Sequence, residues 1–169
     1  FTQFGIECVG AADPSADVEV ICVARDLLAR LGIDDVVLHV NSIGCPACRP
    51  QYNEALVAYF KSRYDELCPT CHERLNKNPL RLLDCKEKKC KAIAKDAPVI
   101  LDYLCEDCAS HFEGVKTILG ETGIAFDINP RIVRGLDYYT NTVFEFVAEG
   151  VGTQGTVCGG GRYDGLIEE

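Results

Sequence analysis

The chain has 169 residues, 47% of them hydrophobic, which suits one compact domain or one domain that carries a smaller insert. A formal net charge of -9 argues against nucleic-acid binding through overall charge. The sequence has no basic-then-apolar leader and no apolar run near the ~20 residues that cross a bilayer, so it predicts a soluble, cytoplasmic protein without membrane contact.

The first third of the chain predicts a strand, a helix and a second strand. Residues 1–10 alternate between apolar and polar side chains, as a half-buried strand does. Asp13 suits a helix N-cap, Pro14 suits the first helical position, and Gly32 offers a left-handed stop after an apolar stripe at helical spacing. Residues 36–44 are rich in valine and predict a strand.

The sequence then becomes polar, rich in cysteine and helical in pattern. One helix is predicted over 49–61 and another within 98–119, in one or two pieces. Strand patterns return at 125–128, 138–148 and 153–161, and 162–169 resembles the start of a helix.

These patterns favour a core interrupted by an insert. We expect a sheet-forming core over 1–44 that continues over 123–169, and a mainly helical insert over 45–122.

Eight of the eleven cysteines occur as close pairs between positions 45 and 108. The pairs are Cys45 with Cys48, Cys68 with Cys71, Cys85 with Cys90, and Cys105 with Cys108. Without a secretory leader a disulfide framework is disfavoured, and paired thiolates at this spacing predict two structural Zn²⁺ sites with four ligands each.

The spacing does not fix which pairs share an ion. A local pairing joins the first pair to the second and the third to the fourth, and an interleaved pairing is equally allowed. The Cys45 pair also lies between a predicted strand and a predicted helix, which is the position of a redox-active CxxC, so a redox role is the alternative to zinc. The isolated Cys8, Cys22 and Cys158 are expected to be small packed side chains.

Positive charge is concentrated in the segment from His72 to Lys95, which contains eight basic residues and three acidic ones. Two interpretations stay open at this point. The segment is either a solvated helix face with a lysine-rich loop or a patch that contacts a polyanion.

Two motifs in the last third predict a polar site built on strands. In RGLDYYTNTVFEF, residues 134–146, strand alternation puts Tyr139 on the more polar face, together with Asn141 and Glu145. In CGGGRYDGL, residues 158–166, three consecutive glycines would let a ligand lie directly against the backbone.

RGLDYYTNTVFEF resembles the first signature of histidyl-tRNA synthetases, and CGGGRYDGL resembles the second. FTQFGIECVG, at the start of the chain, is similar to the tail of motif 2 of class II aminoacyl-tRNA synthetases. The resemblance covers nearly the whole chain. It implies an α+β fold with a mostly antiparallel sheet and flanking helices, interrupted here by the cysteine-rich insert.

The resemblance also implies roles for individual residues. Arg134 matches the catalytic arginine that neutralises the α-phosphate during adenylate formation. Substrate-binding residues are implied at Gln3, Glu7, Tyr139, Gly159, Gly160, Gly161, Arg162 and Tyr163. The prediction of zinc rests on the cysteine spacing alone, and the resemblance does not add support to it.

The implied reaction joins histidine to ATP, used with Mg²⁺, and then to tRNA(His), in a homodimeric enzyme. The family's motif 1 helix, its motif 2 and motif 3 arginines and its anticodon-binding domain do not occur in these residues, so we expect the chain to be an inactive piece of a longer enzyme. Two alternatives belong to other classes. One is a non-catalytic histidine-binding paralogue like the regulatory subunit of ATP phosphoribosyltransferase, and the other is a zinc-stabilised RNA-binding module.

Overall fold

The computed structural model describes residues 2–134, 138–148 and 155–166, which form an α+β structure. The helices are α1 (Pro14–Arg30), α2 (Arg49–Lys61), α3 (Pro69–Lys77), α4 (Lys88–Lys95) and α5 (Glu106–Thr122). The strands are β1 (Val36–Ser42), β2 (Phe126–Ile128), β3 (Thr140–Ala148) and β4 (Thr156–Arg162). Short 3-10 helices lie at Tyr64–Glu66, Pro79–Leu82 and Ile100–Tyr103.

The four strands form one sheet in the order β2-β1-β3-β4. The pairs β1–β3 and β3–β4 are antiparallel, whereas β2 runs parallel to β1. The predicted fold class, a mostly antiparallel sheet with flanking helices, is therefore confirmed. The register between β3 and β4 shifts between Thr140 and Val143, where Asn141 has a positive φ of 47°.

Helix α1 has the limits that its local sequence predicts. The Asp13 carboxylate accepts the N–H of Ser15 at 2.9 Å, Pro14 opens the first turn, and Gly32 beyond the last turn has a φ of +73°. These contacts satisfy a backbone donor at the start and let the chain reverse at the end, so the helix needs no distant residue to set its length.

One face of the sheet is covered by α1 and α5. The apolar side chains between these layers are buried and include Val18, Ile21, Leu38, Val40, Phe112, Val115, Leu119, Phe144 and Phe146. A β-carbon on Gly114 would lie 2.8 Å from Cγ of Pro14, so this glycine permits the close approach of the two helices.

A second hydrophobic core lies within the cysteine-rich segment. It contains Tyr52, Leu56, Phe60, Leu67, Leu75, Leu82, Ile100 and three cysteines. Helix α5 was expected to belong to this segment, but its buried residues pack with the sheet. The boundary of the insert at residue 122 stays a prediction, and the packing favours an end before α5.

The strand predicted over residues 1–10 is not formed. Residues 2–9 have no regular secondary structure, and Phe4 and Val9 are 69% and 67% exposed. Alternation can mark a strand but cannot supply its hydrogen-bonding neighbour, and no described strand pairs with this segment.

The end of the chain also differs in part from its prediction. Residues 163–166 form a turn rather than a helical start, and the rest of that prediction falls on residues outside those described. Within the described ranges, none of the helices combines the length and the apolar character needed to span a bilayer.

Candidate functional site

A cavity of about 470 Å³ lies between the N-terminal segment, the start of α1 and the edge strand β4. Its wall includes Glu7, Asp17, Thr142, Arg162 and Tyr163. This volume is within the range of roughly 300–1,000 Å³ that small-molecule sites occupy. The cavity therefore brings together the motif 2-like segment and the second signature.

The Glu7 carboxylate accepts a hydrogen bond from the Tyr163 hydroxyl. This bond, reinforced by burial and by the negative charge of Glu7, raises the pKa of Tyr163 to about 12. The phenol therefore stays protonated at neutral pH and acts as a donor. Gln3 is exposed and is not part of the cavity wall, so the structure separates it from Glu7.

Arg162 is held by a buried carboxylate. Its side chain and that of Asp17 are each 9% exposed, and the Nη2 atom lies 2.9 Å from Oδ1 of Asp17. Nη1 also donates to the carbonyl of Ala11 and to Asp164, and Nη2 donates to the carbonyl of Asp13. Arg162 lines the cavity, but its donors are occupied, so it ties β4 to the start of α1.

Asp17 is the centre of a larger hydrogen-bonded network. Its Oδ2 atom accepts from the Thr142 hydroxyl at 2.7 Å and lies 2.6 Å from Nε2 of His111. Burial acts to raise the pKa of Asp17, but the bonds from His111 and Thr142 and the charge of Arg162 outweigh it and hold the pKa below 3.8. The carboxylate is therefore ionised near neutral pH.

Arg134, Tyr139 and Glu145 of the first signature form a separate cluster outside the cavity. Nη1 of Arg134 donates to Oε1 of Glu145 at 2.9 Å, and the guanidinium carbon lies 5.4 Å from the Tyr139 ring centroid. Nε of Arg134 is buried and has no hydrogen-bond partner among the described residues. Buried donors of this kind normally have a hydrogen-bond partner, so this atom stands out among the polar groups of the site.

The three consecutive glycines make room for side chains of the protein on both faces of β4. A β-carbon on Gly159 would lie 2.8 Å from Nη1 of Arg134, and one on Gly161 would lie 3.0 Å from Cδ1 of Tyr139. A β-carbon on Gly160 would lie 2.9 Å from the Phe144 ring. Arg134 and Tyr139 therefore lie beside the glycines, and the expectation that a ligand lies directly against this backbone stays a prediction.

The predicted site residues fall into two groups that meet at Tyr138. Glu7 and Tyr163 line the cavity, whereas Arg134 and Tyr139 lie outside it. The Tyr138 ring lies 4.7 Å from the Tyr139 ring and 5.9 Å from the Tyr163 ring, centroid to centroid. A chain of aromatic rings therefore connects the carboxylate of Glu7 to the guanidinium of Arg134.

Sequence reasoning missed Asp17 and His111 and left Glu145 without a role. Asp17 could have been recognised, since it is an acidic residue on the face that α1 buries and lies between the buried Ala16 and Val18. The sequence carried no comparable signal for His111. Its contact with Asp17 depends on how α5 packs against α1.

The eight paired cysteines form two quartets. The outer quartet consists of Cys45, Cys48, Cys105 and Cys108, and the inner quartet consists of Cys68, Cys71, Cys85 and Cys90. Within each quartet all sulfur atoms lie within 4.8 Å of one another. The first pair thus joins the fourth and the second joins the third. This nested arrangement differs from both the local and the interleaved pairing.

Three of the four pairs lie at the start of a helix. Cys48 and Cys68 precede the first residues of α2 and α3, and Cys105 precedes α5. Helix N-termini favour thiolates because their N–H groups are unpaired. Burial acts to raise the pKa of the Cys45 thiol, but the backbone N–H groups of Cys48 and Ala47 and the Cys48 thiol lower it to about 7.

Comparison with known proteins agrees with these features. A sequence profile described as histidyl-tRNA synthetase matches residues 1–169. The histidine--tRNA ligase of Acetivibrio thermocellus is 54% identical over 168 residues, covering 99% of this chain and 40% of that protein. The Clostridium novyi protein of the same name is 56% identical over 167 residues, covering 99% of this chain and 39% of that protein.

A solved structure gives the same relationship. The crystal structure of apo S. aureus histidyl-tRNA synthetase has a TM-score of 0.69 and 39% sequence identity, and covers 94% of this chain and 38% of that chain. The chain spans about 40% of the length of the curated relatives that it matches. With its whole length matched by one family and its signature residues gathered around β4, the chain belongs to the histidyl-tRNA synthetase family.

Proposed function

We propose that the complete protein containing this chain activates histidine and transfers it to tRNA(His) in the cytoplasm. A carboxylate oxygen of histidine attacks the α-phosphorus of ATP and pyrophosphate leaves. A terminal ribose hydroxyl of the tRNA then attacks the carbonyl carbon and AMP leaves. Relatives named histidine--tRNA ligase, 54% and 56% identical over nearly the whole chain, support this reaction.

The Glu7 and Tyr163 pair is proposed to bind the amino acid. A carboxylate pairs with the α-ammonium group of histidine, and the hydroxyl of Tyr163 can exchange its bond to Glu7 for one to the ligand. Tyr139 and Tyr163 are proposed to flank the imidazole, because a neutral hydroxyl suits a ring with one donor and one acceptor nitrogen. Gln3 is proposed to join this set only when the first ten residues take another position.

Arg134 is proposed to stabilise the α-phosphate in the transition state. Its guanidinium keeps its charge at any physiological pH and has a donor without a protein partner among the described residues. Charge that develops on the phosphate oxygens is stabilised most by donors that are already fixed in place. Glu145 holds the guanidinium at 2.9 Å and so sets its orientation.

Further partners and cofactors follow from the family. We propose a homodimer that uses ATP together with Mg²⁺. Among the described residues, the two cysteine quartets are the only groups of three or more potential ligands close enough to share a metal ion. Their thiolates are not the oxygen ligands that Mg²⁺ prefers. Thiolates are soft ligands and suit Zn²⁺, which we propose as a structural ion of the insert.

The observation that carries the proposal is the placement of Glu7, Tyr163 and Arg134 along one connected row of tyrosine rings. In the complete enzyme, Arg134→Gln should lower the kcat of histidine-dependent ATP–pyrophosphate exchange about 100-fold or more, because one donor to the transition state is lost. Glu7→Gln should instead raise the histidine KM about tenfold or more, since a charged hydrogen bond is lost.

Arg30→Gln is the matched control, because Arg30 pairs only with the exposed Asp26 of its own helix in the described structure. It should leave both constants unchanged. Unchanged exchange in Arg134→Gln would contradict the catalytic assignment. Histidine binding without any exchange in the complete wild-type protein would instead identify a non-catalytic histidine-binding paralogue.

A further inference from the structure

The outer and inner quartets have the geometry of tetrahedral thiolate sites. A Zn–S bond of about 2.3 Å places neighbouring sulfurs of a tetrahedron about 3.8 Å apart. The sulfurs of Cys45 and Cys48 are 3.6 Å apart, those of Cys45 and Cys105 are 4.0 Å apart, and those of Cys68 and Cys85 are 3.8 Å apart. A disulfide needs about 2.05 Å, so these separations fit a shared ion better than a covalent bond.

Backbone N–H groups support the sulfur atoms of both quartets. The Cys105 N–H donates to the sulfur of Cys48 at 3.1 Å, and the Cys68 N–H donates to the sulfur of Cys90 at 3.3 Å. Bonds of this kind orient metal ligands and stabilise negative charge on sulfur. In both quartets the N–H belongs to one cysteine pair and the sulfur to the other, so each bond joins segments that are distant in sequence.

The two quartets occupy different places in the fold. The outer quartet joins the end of β1 to the start of α5, which is where the chain leaves the sheet layer and returns to it. The inner quartet joins the first turn of α3 to α4, inside the second hydrophobic core. Only the outer quartet therefore borders the sheet that carries the histidine signatures.

The outer quartet is connected directly to the start of β3. Gly44, next to Cys45, accepts the N–H of Asn141 at 3.0 Å, and Ile43 donates to the Asn141 carbonyl at 2.8 Å. Arg49, next to Cys48, donates to the carbonyl of Tyr139. These bonds fix the backbone where Asn141 takes its left-handed conformation.

We propose that the chain binds two Zn²⁺ ions, one in each quartet, and that the outer ion positions Tyr139 for histidine binding while the inner ion stabilises only the insert. The positioning role rests on the proposed histidine-activating function, whereas the metal assignment does not. Because each ion closes a loop between helices of a polar segment, metal binding contributes to the folding of that segment.

The first experiment measures metal in the complete enzyme, purified without chelator. Elemental analysis should find two Zn²⁺ per chain, and titration with a mercurial should release one Zn²⁺ for every four thiols. The inner variant, in which Cys68 and Cys71 are both replaced by serine, should retain one Zn²⁺ per chain. The outer variant, in which Cys45 and Cys48 are both replaced by serine, should also retain one. One Zn²⁺ or fewer per chain in the wild type, or reversible Cys45–Cys48 disulfide formation without metal, would overturn the assignment.

The second experiment separates the roles of the ions. The outer variant should raise the histidine KM about tenfold or more, because small displacements of positioning groups have large effects, whereas the inner variant should change it less than about threefold. Cys45→His keeps a zinc ligand and should restore the low KM. Cys22→Ser, a cysteine of α1 outside both quartets, should retain two ions and a normal KM.

These readouts distinguish the possible failures. Equal effects of the outer and inner variants on the histidine KM would overturn the positioning role and leave the metal assignment intact. Two Zn²⁺ ions in a wild-type enzyme without exchange activity would contradict the proposed function instead. If the outer double variant does not fold, the Cys45→His variant is measured before and after partial removal of zinc. Loss of its outer ion should raise the histidine KM, and loss of that ion with an unchanged KM would overturn the positioning role.

Discussion

Asp17 is a buried carboxylate with three polar side-chain partners beside the cavity. It binds His111, Thr142 and Arg162, and both its side chain and that of Arg162 are only 9% exposed. A buried charge of this kind is tolerable because each partner offsets part of the cost of removing it from water. The contacts join α1, α5, β3 and β4 at one point beside the cavity.

Replacement of this carboxylate should be costly. Asp17→Asn leaves the buried Arg162 charge without its main partner, and we expect a loss of about 3 kcal/mol in the free energy of unfolding. Urea denaturation at pH 7 measures this loss. Asp26→Asn is the control, since Asp26 and Arg30 are 63% and 76% exposed, and it should change the stability little.

The pH dependence of the same variant has a defined sign. The pKa of Asp17 is lower in the folded state than the ordinary 3.8, so its stabilisation is complete above that value and is lost as the pH falls through the folded pKa. The free energy of unfolding of Asp17→Asn should therefore fall less steeply with acid than that of the wild type below about pH 4. If the free energies of unfolding of the wild type and of Asp17→Asn fell equally with decreasing pH, the contacts described for Asp17 would be contradicted.

At the scale of elements, helix α5 contains two glycines in opposite surroundings. Gly114 faces Pro14 of α1 at a distance that leaves no room for a β-carbon, whereas Gly120 is exposed and has nothing within 4 Å of that position. Replacement of each glycine by alanine thus distinguishes the effect of helix packing on stability from the effect of helix propensity.

Gly114→Ala should destabilise the protein by about 1–3 kcal/mol, because the helices must move apart. Gly120→Ala should stabilise it by about 0.5–1 kcal/mol, because alanine loses less backbone entropy in a helix. Thermal and urea unfolding of the two variants should therefore change in opposite directions. A gain in stability at Gly114 would show that α1 and α5 do not meet as described.

Several elements could be predicted from local sequence and one could not. Helix α1, helix α2 and the strands β1 and β3 match their predictions to within a few residues. The strand over residues 1–10 was wrong, because alternation does not supply a pairing partner. Helix α5 was predicted as a helix but not as a neighbour of α1. An apolar stripe predicts that one face is buried, but it does not identify the surface that covers this face.

At the scale of the whole molecule, positive charge is concentrated against a net charge of -9. The lysines of the segment around α4 are exposed, among them Lys86, Lys88, Lys89 and Lys91. Exposed lysines are suited to phosphate contacts, which position a nucleic acid without reading its sequence.

Substitution of Lys86, Lys88, Lys89 and Lys91 by alanine in the complete enzyme should raise the tRNA KM and leave ATP–pyrophosphate exchange unchanged. Each lost phosphate contact should also reduce the salt dependence of tRNA binding by about 0.9 in the log–log slope. Lys61→Ala, in α2, is the control and should leave the tRNA KM unchanged. An unchanged tRNA KM in the variant with all four lysines replaced would show that this segment is a solvated face without a role in tRNA binding.

Local sequence patterns suffice to predict the family, the limits of α1 and α2, the strands β1 and β3, and the four close pairs of cysteines. Helix caps, hydrophobic periodicity and motif spacing depend on residues that are close together in the sequence, so they can be recognised without knowledge of the fold. Three features could not be predicted in this way: which cysteine pairs meet, that α5 covers the sheet, and that Asp17 binds Arg162. Those contacts join residues far apart in sequence, and only the path of the folded chain brings them within bonding distance.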